Sequence, residues 1–176
     1  MPAYYIYLIS SLPMLNFSAK APFSLEDFFT RCKNLIPEKE FEILCSVCKQ
    51  DSYFLVTQSS DSLKQWANFE IALRNELVRA RASRKKIDPL KFLRLPDWPQ
   101  AEISHLAMAA YRSTSILEAE KILDQARWNF LEALSLGHYF DFDYLLIYGL
   151  KLTILERWDK IQKADKEQLL DAAVSN

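Results

Sequence analysis

From Ser62 onward, apolar residues recur at the spacing of one helical face: Leu63, Trp66, Phe69, Ile71 and Leu73 alternate with polar positions through about Arg84. Asp88-Pro89 is a helix-start dipeptide for one or two turns, and Pro96 and Pro99 bracket a loop before a helix over Gln100–Arg112. Ser113-Thr114-Ser115 then makes a turn and N-cap, with Glu118 three residues after Ser115 in the capping-box arrangement. That helix runs to Leu136, where Gly137 suits the left-handed residue beyond a helix end. A last long helix covers about Phe142–Lys160, with a weaker piece over Lys166–Val174. Nearer the start, Ser24 is a good N-cap followed by Glu26 and Asp27, predicting a helix to about Leu35. Pro37 opens another, with Phe41, Leu44, Val47 and Cys48 along its apolar face. Tyr4–Ile9, aromatic and β-branched, reads as extended, and Tyr53–Thr57 could pair with it.

These elements predict a mainly α, single-domain helical bundle over residues 1–176, with a small two-stranded β element near the N-terminus. Residues 1–60 form an N-terminal part with two short helices, and residues 61–176 the main bundle. The two C-terminal helices are expected to form an antiparallel hairpin across Gly137–Asp141. The first carries Ile116, Ala119, Leu123, Ala126, Phe130 and Leu134 down one face, and the second is apolar nearly all round from Tyr144 to Leu155. Trp66, Leu123, Phe130 and Leu150 are assigned to the core. Lys151 interrupts the apolar run, so it either snorkels to the surface or meets a carboxylate such as Asp124 or Glu120.

Composition sharpens this picture. Half of the 176 residues are hydrophobic and 26% are charged, a globular balance, but only Gly137 and Gly149 supply glycine. Average usage of about 7% would give roughly a dozen. So few glycines argue against tight hairpins and against phosphate-cradling loops. No apolar run reaches the roughly 20 residues of a membrane span, and no signal-peptide pattern opens the chain. The expected location is cytoplasmic, with any membrane association only through a partner complex.

Candidate chemistry is sparse. Cys45-Ser-Val-Cys48 has the CxxC spacing, but zinc needs two further ligands, and Cys32, His105 and His138 are scattered. A redox pair belongs at a helix N-terminus, whereas this one falls near a helix end, so the thiols read as buried and structural. His138, Asp141 and Asp143 could begin a metal site, but Asp141 is more simply the N-cap of the last helix. Arg127 is most simply paired with Asp124, its neighbour at i−3. No nucleophile, phosphate-loop or metalloprotease motif occurs, and neither catalysis, a cofactor, a metal nor a small-molecule substrate is expected.

Charge distribution carries more. Residues 74–94 hold 8 basic side chains (Arg74, Arg79, Arg81, Arg84, Lys85, Lys86, Lys91 and Arg94) against Glu76 and Asp88, between two acidic flanks. Three readings stand: a solvated helix end whose cations complement the dipole, a docking face for an acidic protein, or a nucleic-acid-binding module over 74–94. A sequence pI of 6.1 sits poorly with the last.

Several separated stretches look familiar together. They are Tyr4-Tyr5, Ser10–Leu15 and Pro22-Phe23-Ser24; Trp66–Asn75; and Glu118-Ala-Glu120, Leu123–Trp128, His138-Tyr-Phe140 and Tyr148–Arg157. Over nearly the whole chain this resembles an uncharacterised bacterial family, a domain of unknown function, encoded inside V-type (A/V-type) ATPase operons. The resemblance implies an analogue of the enzyme's all-helical socket, the component that joins the rotor stalk to the membrane ring. This chain is shorter than such a socket, so an accessory or assembly role is implied equally. The expected function is that of a non-catalytic accessory or central-stalk-type subunit, with V-type ATPase subunits of the central stalk or membrane ring as partners. Contacts are expected at Arg74, Arg79, Arg81, Arg84, Lys85, Lys86 and Trp98.

Overall fold

The computed structural model describes residues 5–49, 60–95 and 101–174, with residues 165–174 by backbone alone. The protein is mainly α-helical, with no strand among the described residues. Its helices are α1 (Tyr5–Ser10), α2 (Leu25–Cys32), α3 (Glu38–Lys49), α4 (Asp61–Lys85), α5 (Ala101–Arg112), α6 (Ile116–Leu134) and α7 (Phe142–Val174), with a 3₁₀ turn at Pro89–Phe92. They group into two compact units, one of residues 1–52 and 135–176, the other of residues 53–134.

The first unit is organised on α7. Leu145, Leu146, Ile147, Tyr148, Leu150, Leu152, Ile154 and Leu155 are all buried, as an all-round apolar helix requires. Phe28 and Phe29 of α2 and Leu44, Val47 and Cys48 of α3 are buried with them. Each such side chain contributes about 1.5–3 kcal/mol by leaving water. Gly149 sets how closely the helices approach. A Cβ placed there would lie 2.7 Å from Cys48 Sγ, 3.2 Å from Phe28 Cε1 and 3.5 Å from Leu44 Cδ1.

Polar groups of α7 then fasten the segment leading into α2. The Tyr148 hydroxyl donates to the Pro13 carbonyl at 2.9 Å, and the Ala21 N–H donates to Asp159 at 3.2 Å. The Leu25 N–H, one of the four orphan donors of the α2 start, donates to Glu156 at 3.2 Å. Ser24 and Asp27 complete a full capping box at the same point.

The second unit is a three-helix arrangement. Phe69 of α4 lines one groove with Ile103 and Leu106 of α5, and Ala80 and Arg84 line a notch with Met108 and Arg112, so the two packed helices run in the same direction. α6 returns antiparallel, with Phe130 stacked on Phe69 (centroids 4.2 Å apart, planes 11° off parallel) and Leu123 beside Leu77. Asn75, fully buried, donates to the Arg94 carbonyl and accepts the Arg94 N–H, both at 2.9 Å. One side-chain amide thereby pins the segment after the 3₁₀ turn to the middle of α4.

Several expectations change. Of the stretch expected to be extended, Tyr5–Ile9 is helical, because Tyr5, Leu8 and Ile9 share one helical face that packs inward while Ile6 and Tyr7 stay exposed. The Tyr5 hydroxyl reaches the Glu40 carboxylate of α3, which anchors that turn. Its expected β partner, Tyr53–Thr57, lies outside the described residues. α2 ends at Cys32, short of Leu35, with Asn34 in the left-handed region (φ 68°) just beyond. α7 continues to Val174 without the expected break. The two helices expected to form a hairpin fall in different units, each with its own partners: α6 packs on α5 and α4, and α7 on α3 and α2. Lys151 is buried in the apolar run, with 9% of its surface exposed. Ile116, assigned to the inner face of α6, is 86% exposed because it sits at the first residue of the helix, above the packed turns.

A glycine-to-alanine change inside a helix normally stabilises by about 0.5–1 kcal/mol. At Gly149 the sign reverses, because overpacking costs about 1–3 kcal/mol. Gly149→Ala is expected to lower stability in chemical denaturation, and Cys48→Ala in the same chain to recover part of the loss. A Gly149→Ala protein more stable than wild type would refute the close approach.

Candidate functional site

The basic segment begins on the polar side of α4, and the structure divides it in two. Arg74 Nε lies 3.7 Å from Glu70, one turn earlier, and Arg79 is bonded at 2.7 Å to Glu76, which is almost fully buried. Both arginines neutralise carboxylates of their own helix and so act as structure. Arg81, Arg84, Lys85 and Lys86 are exposed and have no carboxylate partner among the described residues. Lys86 ends α4 in the left-handed conformation (φ 54°), its N–H reaching the Ala82 and Ser83 carbonyls. Cations here complement the negative end of the helix dipole. Trp98 lies outside the described residues.

Beyond these cations the chain exposes apolar surface that the sequence reading did not anticipate. Ile87, Leu90, Phe92 and Leu95 are all exposed, with Lys91 among them. The 3₁₀ turn, capped by the Asp88 side chain on the Leu90 N–H at 3.0 Å, is held against α4 but buries none of its own residues. Residues 84–95 therefore present four large apolar side chains among five cations. The sequence signal was available, since Leu90, Phe92 and Leu95 alternate with charges too briefly for any buried face.

The interior of the same unit holds a buried ion network. Arg127 donates through Nε to Glu70 at 2.7 Å and through a terminal nitrogen to Asp124 at 2.8 Å. Asp124 is 0% exposed and Glu70 is 2% exposed. The Asp124 pairing was expected from spacing, whereas Glu70 comes from another helix, which spacing cannot show. Burial works against the charged guanidinium, but the two carboxylates outweigh it and hold its pKa above the ordinary arginine value.

A groove of about 660 Å³ runs between α5 and α6, floored by Phe69, Phe130 and Ile103 and edged by Glu102, Glu118 and Lys121. Phe130, assigned to the core, is half-buried on its wall. The volume lies in the small-ligand range, and the lining also includes Gln125 and Asn129.

The thiols and the histidine cluster are accounted for by local structure. Burial pushes the Cys32 thiol up to about 12, with Cys45 adding to the effect, and burial raises Cys48 further. Cys45, half-buried, is raised by burial while Lys49 acts in the opposite direction. None of the three is poised as a thiolate, the form a redox or nucleophilic cysteine needs. Asp141 accepts the Tyr144 N–H at 2.9 Å, so it is the N-cap of α7. Its other oxygen lies 2.7 Å from His138 Nδ1, with Asp143 at 3.9 Å. Among the described residues no group of three or more candidate ligands could hold a metal ion. No helix among them is long and apolar enough to cross a membrane.

Fold and site thus define a mainly helical protein whose most distinctive surface is a mixed basic and apolar segment closing α4. Residues 102–175, from α5 to the end of α7, are similar to the family described as "Protein of unknown function (DUF2764)". No curated protein and no solved structure matches the chain.

Arg127→Met is expected to cost about 3–5 kcal/mol, since it strands two buried carboxylates. The loss should appear in urea unfolding, and a cost below about 1 kcal/mol would show that the network is dispensable. The raised thiols predict alkaline weakening. A buried neutral thiol stabilises the fold fully below the unfolded pKa near 9, and that contribution falls as pH rises toward about 12. Stability should drop across this window, less steeply in Cys32→Ala, and native Cys32 and Cys48 should resist a thiol reagent at about pH 8. Rapid native labelling of either would overturn their burial.

Proposed function

We propose that this protein is a non-catalytic accessory or central-stalk-type subunit of a bacterial V-type ATPase, coupling or assembling the rotor through protein–protein contacts. The observation that carries the docking part of this reading is the exposure of Ile87, Leu90, Phe92 and Leu95 beside Arg84, Lys85, Lys86 and Lys91. A solvated helix end needs the cations alone. A docking face needs an apolar centre with charge around it, and contiguous exposed apolar side chains mark such faces. The partner surface is acidic with an apolar patch.

The ATPase part rests on the family resemblance, whose residues now have physical roles. Pro13, Ser24, Tyr148, Gly149 and Glu156 fasten α2 and its approach to α7. Phe69, Asn75 and Arg127 hold the second unit together. The shared stretches thus describe a scaffold, with the contact surface on the segment that closes α4.

The test is affinity capture of the tagged protein from its native membranes. Stalk or ring subunits of the ATPase should be recovered. Combined reversal of Arg81, Arg84 and Lys85 to Glu should weaken recovery at least about tenfold, and more at low ionic strength. Leu90→Ser with Phe92→Ser should weaken it at all salt concentrations. Recovery of nucleic acid in place of ATPase subunits, with affinity falling steeply with salt, would replace this reading with the nucleic-acid-binding one.

A further inference from the structure

We propose that copies of this chain associate head to tail, with residues 84–95 of one seated in the α5–α6 groove of the next. The two surfaces match in apolar content. Leu106, Ile122 and Phe130 line the groove while only half-buried, so its apolar wall is still partly wet. The segment exposes Ile87, Leu90, Phe92 and Leu95. Seating one in the other removes apolar surface from water on both sides.

Their charges are opposite as well. The charged residues of the groove lining are Glu102, Glu118 and Lys121, all exposed. None of the three forms an ion pair among the described residues. The segment carries Arg84, Lys85, Lys86, Lys91 and Arg94 against Asp88. Two acids and one base thus face five bases and one acid. That arrangement favours segment on groove and opposes segment on segment.

The order is head to tail because the two surfaces lie on opposite sides of α4. Successive side chains of a helix are about 100° apart around its axis. Phe69 stacks on Phe130 and Glu70 accepts from Arg127, so that face of α4 looks toward α6 and the groove. Asn75, which holds Arg94 of the segment, lies about 190° from the middle of that face. A chain therefore does not fill its own groove, and one two-fold axis does not satisfy both contacts in a pair. A heterologous contact of this kind leaves a free segment at one end and a free groove at the other. A second copy covers the face on which the proposed docking rests, so it competes there with the ATPase. Purified protein decides the self-association without the ATPase, and the two readings fail separately.

The full chain is followed by sedimentation equilibrium from about 5 to about 500 μM, a range that brackets a weak protein contact. The weight-average mass should rise with concentration, and less so at high salt. A groove variant, Glu102→Lys with Glu118→Lys, and a segment variant, Leu90→Ser with Phe92→Ser, should each associate at least about tenfold more weakly. Both should keep the wild-type circular dichroism, because all four substituted residues are exposed. Mixed together, the two variants should form a pair of one copy each and nothing larger, since one intact segment meets one intact groove. A wild-type chain that stays monomeric throughout, or a mixture that forms no pair, would overturn the proposal. So would a segment variant that still associates, which would assign the groove to a second groove.

Discussion

The second unit depends on one cation. Glu70 and Asp124 are carboxylates without access to water, and two such charges brought together on facing helices would repel each other and lose hydration. Arg127 answers both at once, with separate nitrogens at 2.7 and 2.8 Å. Its planar fork is suited to this, since one group donates in two directions without reorganising. The consequence is positional. With Arg127 fixed to Glu70, α6 has one register against α4, and the Phe69–Phe130 stack follows from it. An apolar substitute could fill the space but could not select one rotation of α6 in the same way.

That arrangement also explains which arginines remain outward. Carboxylates on the early and middle turns of α4, at Glu70 and Glu76, take up Arg74 and Arg79. Beyond Glu76 the helix carries no acid, so Arg81, Arg84 and Lys85 face water without an internal claim. The division between structural and surface cations is therefore written in where the glutamates stop. It also places the exposed apolar residues, because the chain leaves α4 through a left-handed lysine, rests its 3₁₀ turn against α4 and is hydrogen-bonded back to it at Arg94, by Asn75. Ile87 to Phe92 lie in between, attached at both ends but buried at neither.

The helices were legible because their boundaries are chemical. Ser24, Asp88 and Asp141 each cap an element through a side-chain oxygen, and Gly137 takes φ 92° after α6, whereas the Ser60 cap of α4 lies two residues before the start read from Ser62. The capping box expected at Ser115 is half formed: its hydroxyl accepts the Glu118 N–H at 3.4 Å, but the Glu118 carboxylate accepts from the Ser113 hydroxyl at 3.0 Å. Anything joining distant residues stayed hidden. Tyr4–Ile9 has the composition of a strand, and its helix is set by tertiary anchors such as Tyr5 to Glu40. Adjacency in sequence suggests an α6–α7 hairpin, yet the two helices belong to different units, α6 with α5 and α4 and α7 with α3 and α2. The partner choice of each helix is decided by shape at sites such as Gly149, where the absence of a side chain matters.

Scarce glycine ties these points together. With only two, the chain has few places to approach itself closely, and Gly137 is spent on a turn. Gly149 is left as the one helical position where neighbouring side chains come within a Cβ's reach of the backbone, and Cys48, Phe28 and Leu44 all converge there. The cysteine is then fixed by packing. Its sulfur fills the space that the missing Cβ leaves, and the same burial that makes it a good space-filler removes it from thiolate chemistry. A CxxC spacing at such a place carries geometry, not reactivity. Contact chemistry has to be sought where the chain keeps its side chains uncovered, and the segment from Arg84 to Leu95 meets that condition with charge and apolar surface together.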